Sequence, residues 1–166
     1  MKNKINYNRV NAVLLFIVVS LSAASFYFEY VEELNPCPLC IMQRVCVLLL
    51  IPLSLVALCF KSQIKRRLIT SVQLFVTLAG MGFAGRQVYL QSLPPEKVPA
   101  CGPGLNYLIQ YFPLKDIVYA ILFGSGDCAE VQWVFLNLTM PAWLLLSFSF
   151  IACLISISFF FISNRQ

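Results

Sequence analysis

The chain contains no histidine, and only 11% of its 166 residues are charged, against about 25% in an ordinary soluble domain. The missing histidine excludes Ser-His-Asp triads, Cys-His nucleophile pairs, histidine-bearing zinc sites and histidine-ligated haem. The shortage of charge, set against 60% apolar residues, excludes a free-standing cytosolic globule. The net charge is +5, yet the basic residues cluster between long apolar runs rather than along one face. They mark membrane topology and not a nucleic-acid footprint. What remains for redox or metal chemistry is a set of seven cysteines.

A bilayer core about 30 Å thick is crossed by about 20 apolar residues in a helix. Four runs meet that length: Val10–Phe28 without charge, Ile41–Phe60 with Arg44 near its start, Leu68–Leu90 with Arg86 near its end, and Ala142–Ile162 without charge. Pro141 stands just before the last run, where a helix tolerates proline. Basic residues flank the cytoplasmic ends of such spans. Lys2, Lys4 and Arg9 precede the first, Lys61, Lys65, Arg66 and Arg67 fill the link between the second and third, and Arg165 follows the fourth. Both termini are therefore expected in the cytoplasm. The loops over 29–40, with Glu29, Glu32 and Glu33, and over 91–141 are expected outside. A cleavable signal ending near Ser22-Ala23-Ala24 is the rival for the first run, and it leaves the sidedness of everything downstream unchanged.

The fold expected is an all-α membrane protein forming one domain over 1–166, an antiparallel bundle of four transmembrane helices with a long outer loop. That loop is too short to build a strong core of its own. Within it Leu114, Ile117, Val118, Ile121 and Leu122 recur at helical spacing with Lys115 and Asp116 opposite. This pattern predicts a short interfacial helix, or one packed on top of the bundle. Gly80 and Ala84, four apart on the third span, suit a close helix contact.

The topology sorts the cysteines. Cys46, Cys59 and Cys153 fall within spans and are expected to pack as small hydrophobes. Cys37, Cys40, Cys101 and Cys128 fall in the outer loops, where disulfides persist. Four cysteines permit three pairings; the C-x-x-C spacing and the shared long loop favour Cys37 with Cys40 and Cys101 with Cys128. A bridge that closes so small a ring as Cys37–Cys40 removes little chain entropy, so redox cycling explains it better than stabilisation. Cys40 is placed at the start of the second span, near the free N–H groups of a helix that begins at Ile41, an environment that favours a thiolate. Arg44 lies one turn further on the same face, and an arginine at the edge of lipid is costly unless something requires it. A thiolate beside a cation at the membrane boundary suits an acceptor dissolved in lipid. A quinone fits, with Arg44, and Arg86 at similar depth, available to its carbonyl oxygens. Cys101 and Cys128, in a Gly- and Pro-rich loop, could present a disulfide to a soluble protein and carry a released thiol to the inner pair.

These residues give the chain its resemblance to a family. Pro36-Cys37-Pro38-Leu39-Cys40-Ile41-Met42-Gln43-Arg44, the outer Cys101, and Gly124-Ser125-Gly126-Asp127-Cys128-Ala129-Glu130, followed by Trp133 and Met140-Pro141-Ala142-Trp143, together with four spans in this order, resemble the DsbB family of bacterial disulfide bond formation proteins. The resemblance implies a bacterial inner-membrane enzyme that reoxidises a periplasmic DsbA-like thioredoxin-fold protein and passes electrons to ubiquinone or menaquinone, and through it to the respiratory chain. It implies that Cys101 forms the mixed disulfide with that partner, that Cys128 passes the electrons to Cys37, and that Cys40 faces the quinone beside Arg44. Gln43 departs from the pattern, since some members carry an acidic residue there.

Two rivals remain on sequence alone. A vitamin K epoxide reductase-like protein also pairs four spans with C-x-x-C, but by resemblance carries that pair on a late helix. A non-catalytic membrane protein would use the four outer cysteines for structural disulfides or one Cys₄ zinc ion, so stoichiometric zinc with four reduced thiols would end the redox reading.

Overall fold

The computed structural model describes residues 2–34, 36–99 and 113–163. Four long helices make the body: α1 (Lys2–Tyr30), α2 (Pro38–Cys59), α3 (Gln63–Gln91) and, after a ten-residue helix α4 (Leu114–Phe123), α5 (Met140–Ser163). All four are long and apolar enough to cross a membrane, so the protein is a multi-pass membrane protein of the all-α class. In lipid every backbone polar group must be satisfied within the segment, and helices achieve this. They also run past the apolar stretches: α2 begins at Pro38 rather than Ile41, because proline at the first turn lacks only an N–H that has no partner there anyway.

The helices pack in a ring, with α1 and α3 each lying against both α2 and α5. Neighbours run antiparallel. Arg44 near the start of α2 meets Ser25 and Glu29 near the end of α1, and Gln43 of α2 meets Gln87 near the end of α3. Each helix buries one stripe at three- and four-residue spacing, such as Tyr7, Asn11, Leu14, Val18 and Ser22 on α1. The opposite faces expose large apolar side chains, among them Phe16, Leu68 and Phe75, as lipid-facing surfaces do. On α3 the buried stripe includes Thr70, Gln73, Thr77 and Gln87, so its polar residues point inward, where partners are available.

At mid-bundle Leu14, Val18, Cys46, Val47, Leu50, Ala84, Phe148, Ile151 and Ile155 form one apolar cluster. The close contact expected at Gly80 and Ala84 is present: a Cβ on Gly80 would lie 2.5 Å from Cζ of Phe148, so only glycine lets the α5 ring press onto α3. Towards the end where α1 starts, Gln73 Nε2 donates to Asn11 Oδ1 at 3.4 Å and to Ser54 Oγ at 3.3 Å, tying α1, α2 and α3. Such bonds hold transmembrane helices together at about 0.6 kcal/mol each.

The long loop returns over the other end. α4 lies where the periodicity places a helix and packs against α2. It is followed by a 3₁₀ turn, Gly126–Ala129, and by two short strands absent from the sequence-based expectation, β1 (Val134–Phe135) and β2 (Leu138–Thr139). The strands pair antiparallel, Val134 with Thr139 and Phe135 with Leu138, through Leu136 and Asn137, both at positive φ. Two successive positive-φ residues are what a tight hairpin of native twist needs. Trp143 Nε1 donates to the Phe135 carbonyl at 3.1 Å, seating this hairpin on α5.

Candidate functional site

Three of the four outer cysteines converge at the loop-covered end of the bundle. Cys37 caps the N-terminus of α2, and its sulfur accepts the Cys40 N–H at 3.3 Å. The helix N–H expected to favour Cys40 therefore goes to Cys37, because the helix starts three residues earlier than its apolar stretch. One turn of helix brings Cys37 Sγ and Cys40 Sγ to 2.8 Å, so the pair can close into a disulfide without backbone movement. Cys128 arrives from the long loop on the 3₁₀ turn. It is fully buried with Cys37, Leu39 and Leu90, and its sulfur meets that of Cys37. Cys101 lies outside the described residues, so its pairing with Cys128 remains an expectation.

Two features seat Cys128. Gly124, at φ +79°, lets the loop pass directly over Leu39 and Leu90; a Cβ there would lie 2.7 and 2.8 Å from their methyl carbons. The Cys128 N–H then donates to the Ser125 carbonyl at 3.0 Å. The electrostatics of the two thiols are opposite. The neighbouring Cys37 thiol, then the backbone at Leu39 and Ser125, hold Cys128 down from 9.0 to about 6, against the effect of burial. Cys37 is pushed up, by its hydrogen bonds to Cys128 and Cys40 and by burial. With both reduced, the proton sits on Cys37 and the charge on Cys128.

Beside the sulfurs lies a cleft of roughly 870 Å³, counting its open mouth. Leu21, Phe28 and Leu144 from α1 and α5 give it apolar walls, Trp133 closes one side, and Cys37, Cys40, Gln43, Arg44, Gln87 and Gln91 line its interior. Arg44 is anchored rather than free. It pairs with the Glu29 carboxylate, donates to Ser25 Oγ at 2.8 Å and to the Ser25 carbonyl at 3.2 Å, and lies over the Phe26 ring. These bonds use three of its five N–H groups. Arg86 is not brought to this cleft. It donates to the Phe123 carbonyl at 3.2 Å and covers the Tyr89 ring, tying α4 to α3. Among the remaining cysteines Cys46 is buried in the core, while Cys59 and Cys153 are exposed on the outer faces of their helices.

Sequence reasoning missed three participants. Glu29 reads only as a marker of the acidic outer loop, yet it neutralises Arg44 across the α1–α2 contact. Gln43 reads as a departure from a pattern, and Gln87 does not stand out among Leu68–Leu90. Gln87 nonetheless contacts both sulfurs, with Nε2 at 3.2 Å from Cys40 Sγ and 3.4 Å from Cys37 Sγ. A search of the spans for uncharged polar residues, as well as charges, would have raised it.

Comparison with known proteins shows the family. The family described as Disulfide bond formation protein DsbB matches residues 7–158. A "Disulfide bond formation protein B" of Nitrosococcus oceani is 47% identical over 137 residues, covering 82% of this chain and 81% of the relative. Those of Hahella chejuensis (42% over 146 residues, 85% and 87% covered) and Methylococcus capsulatus (46% over 130 residues, 78% and 79% covered) are similar. No solved structure matches the chain significantly. Three cysteines brought together at one end of a four-helix membrane bundle, with family similarity along nearly its whole length, identify the chain as a member of the DsbB family of disulfide bond formation proteins.

Proposed function

We propose that the chain, as a single membrane domain, is a bacterial inner-membrane thiol oxidoreductase. In this role it reoxidises a periplasmic DsbA-like protein of thioredoxin fold and passes the electrons to membrane quinone, ubiquinone or menaquinone, and so to the respiratory chain. The cysteine end of the bundle faces the periplasm, and both termini lie in the cytoplasm, as the basic links require. The observation that carries this reading is the contact of Cys128 with Cys37, one residue at the end of a long loop and the other in a C-x-x-C pair beside an apolar cleft.

The exchanges begin at the Cys101–Cys128 disulfide that the family resemblance implies, and the contacts of Cys128 with Cys37 and of Cys37 with Cys40 support the inner step. A partner thiolate attacks the Cys101–Cys128 disulfide at Cys101, and the electron pair leaves on Cys128. The Cys128 thiolate attacks Cys37 of the Cys37–Cys40 disulfide, and Cys40 departs as thiolate at the cleft. A quinone, dissolved in lipid, supplies a two-electron acceptor there. The cleft suits it: the walls are apolar, Arg44 retains N–H groups for a carbonyl oxygen, and the buried Gln43 Oε1 and Gln91 Oε1 have no hydrogen-bond partner among the described residues. Each is an acceptor that a hydroxyl donor, such as that of a reduced ring, would satisfy. Anaerobic mixing of the purified protein with quinone and a reduced DsbA-like protein should bleach the quinone absorbance only when all three are present; no change with either quinone type would overturn the proposal.

Arg44→Ala should raise the KM for quinone about tenfold or more, the scale of one lost hydrogen bond to a charged group. Formation of the mixed disulfide with the partner should proceed at the normal rate. A defect confined to that partner step would contradict the placement of Arg44.

The reactivity of Cys128 should report its lowered pKa. Its thiolate persists above pH of about 6 and is lost as pH falls through that value. Alkylation of Cys128 in the reduced protein should therefore be nearly level from pH 7 upward and fall about tenfold per unit below 6. A rate still rising steeply between pH 7 and 9 would show an ordinary thiol.

A further inference from the structure

The site contains a group that the exchange sequence leaves without a task. Gln87 projects from α3 between the two sulfurs of the α2 pair, 4% exposed, and all its polar contacts in the site run to three side chains of α2. Its Nε2 lies 3.2 Å from Cys40 Sγ and 3.4 Å from Cys37 Sγ, and its Oε1 accepts from Gln43 Nε2 at 2.7 Å. The Gln43 bond decides which way the carboxamide faces: with Oε1 held by a donor, the NH₂ group points to the sulfurs. Gln43 is itself buried, at 1% exposed, and rises from the helix turn that follows Cys40.

We propose that Gln87 is a catalytic residue of the inner pair, whose carboxamide receives the charge that arrives on Cys40, and that Gln43 is the positioning residue that holds it in that orientation. The proposal rests on the exchange sequence given above. When the Cys128 thiolate attacks Cys37, the Cys128–Cys37 bond forms, the Cys37–Cys40 bond breaks, and the electron pair leaves on Cys40 Sγ. No proton moves and no other oxidant is needed. The new anion appears in a partly buried setting, where an unpaired charge is costly. Arg44 does not meet it with the bonds it makes, since those run to Ser25 and Glu29. The Cys40 N–H is directed at Cys37. The Gln87 N–H is already in place, so nothing must reorganise as the charge develops. The carboxamide also serves the protonated state, because Oε1 lies 3.5 Å from Cys40 Sγ and can accept from a thiol.

The test separates this role from simple packing. The full chain in lipid nanodiscs is equilibrated anaerobically with glutathione buffers, and the dithiol-to-disulfide ratio of Cys37–Cys40 is read by differential alkylation and mass spectrometry. Gln87→Glu, a carboxylate of the same shape without the NH₂ donor, and Gln87→Met, without either polar atom, should each shift the ratio towards disulfide by about tenfold, the scale of a hydrogen bond to an anion. Gln43→Leu should shift it the same way by less. Unchanged ratios in the variants that remain folded, judged by thermal melting, would overturn the role, as would a shift towards dithiol. Because this equilibrium needs neither quinone nor partner protein, it judges Gln87 even if wild-type protein fails to reduce quinone, the result that would instead remove the proposed function.

Discussion

Cys40→Ser should abolish quinone reduction while the chain still inserts into the membrane and folds. Serine fills nearly the same space, and its hydroxyl can still meet Gln87, so packing around the start of α2 changes little. What is lost is the sulfur: without it Cys37 cannot close the inner disulfide, and no oxidised site faces the cleft. The contact between Cys37 and Cys128 adds a second expectation. With Cys40 gone, a disulfide between Cys37 and Cys128 lacks the inner-pair thiolate that would resolve it at Cys37, so this bridge should accumulate on mild oxidation. Peptide mapping under non-reducing conditions reads the bridge, and quinone absorbance reads the activity. Normal turnover in this variant would remove Cys40 from the pathway.

Gly124→Ala should disconnect the two sulfur couples without dismantling the bundle. An added methyl meets Leu39 Cδ1 at 2.7 Å and Leu90 Cδ1 at 2.8 Å, and φ of +79° is strained for any side chain. Backbone strain and overlap each cost on the order of 1–3 kcal/mol. The four long helices have their own core and can keep it. The segment best able to yield is the loop that presents Cys128, four residues further on. Electron transfer from a partner dithiol to quinone should therefore fall at least about tenfold, the equivalent of roughly 1.4 kcal/mol. Reaction of the Cys37–Cys40 pair with a small soluble dithiol should stay near the wild-type rate. Equal loss of both rates would show that Gly124 supports the inner pair and not the loop.

How far the site is legible in the residues depends on distance along the chain. The C-x-x-C pair, Arg44 one turn later and the membrane side of each loop are local features. A span is set by the composition of about 20 neighbours, and one helical turn relates Cys40 to Arg44. The start of α2 is also local, but apolar character marks it too late: Pro38 and Leu39 are already helical, so Cys37 and not Cys40 receives the first-turn N–H. Arg86 shows the opposite error. Its depth along α3 is close to that of Gln87, but one residue of helix turns a side chain by about 100°. Gln87 consequently faces the sulfurs, while Arg86 faces α4.

By itself the sequence determined the class of the protein and its four membrane-spanning helices, because apolar length and residue type act without reference to the rest of the chain. Only the tertiary structure put Cys128 in contact with Cys37, and showed that Glu29 and Ser25 hold Arg44 and that Gln87 stands between the sulfurs. Each of these depends on the rotation and register of one helix against another. Those are set by the packing of surfaces such as Phe148 on Gly80 and the loop at Gly124 on Leu39, which no single stretch of sequence contains.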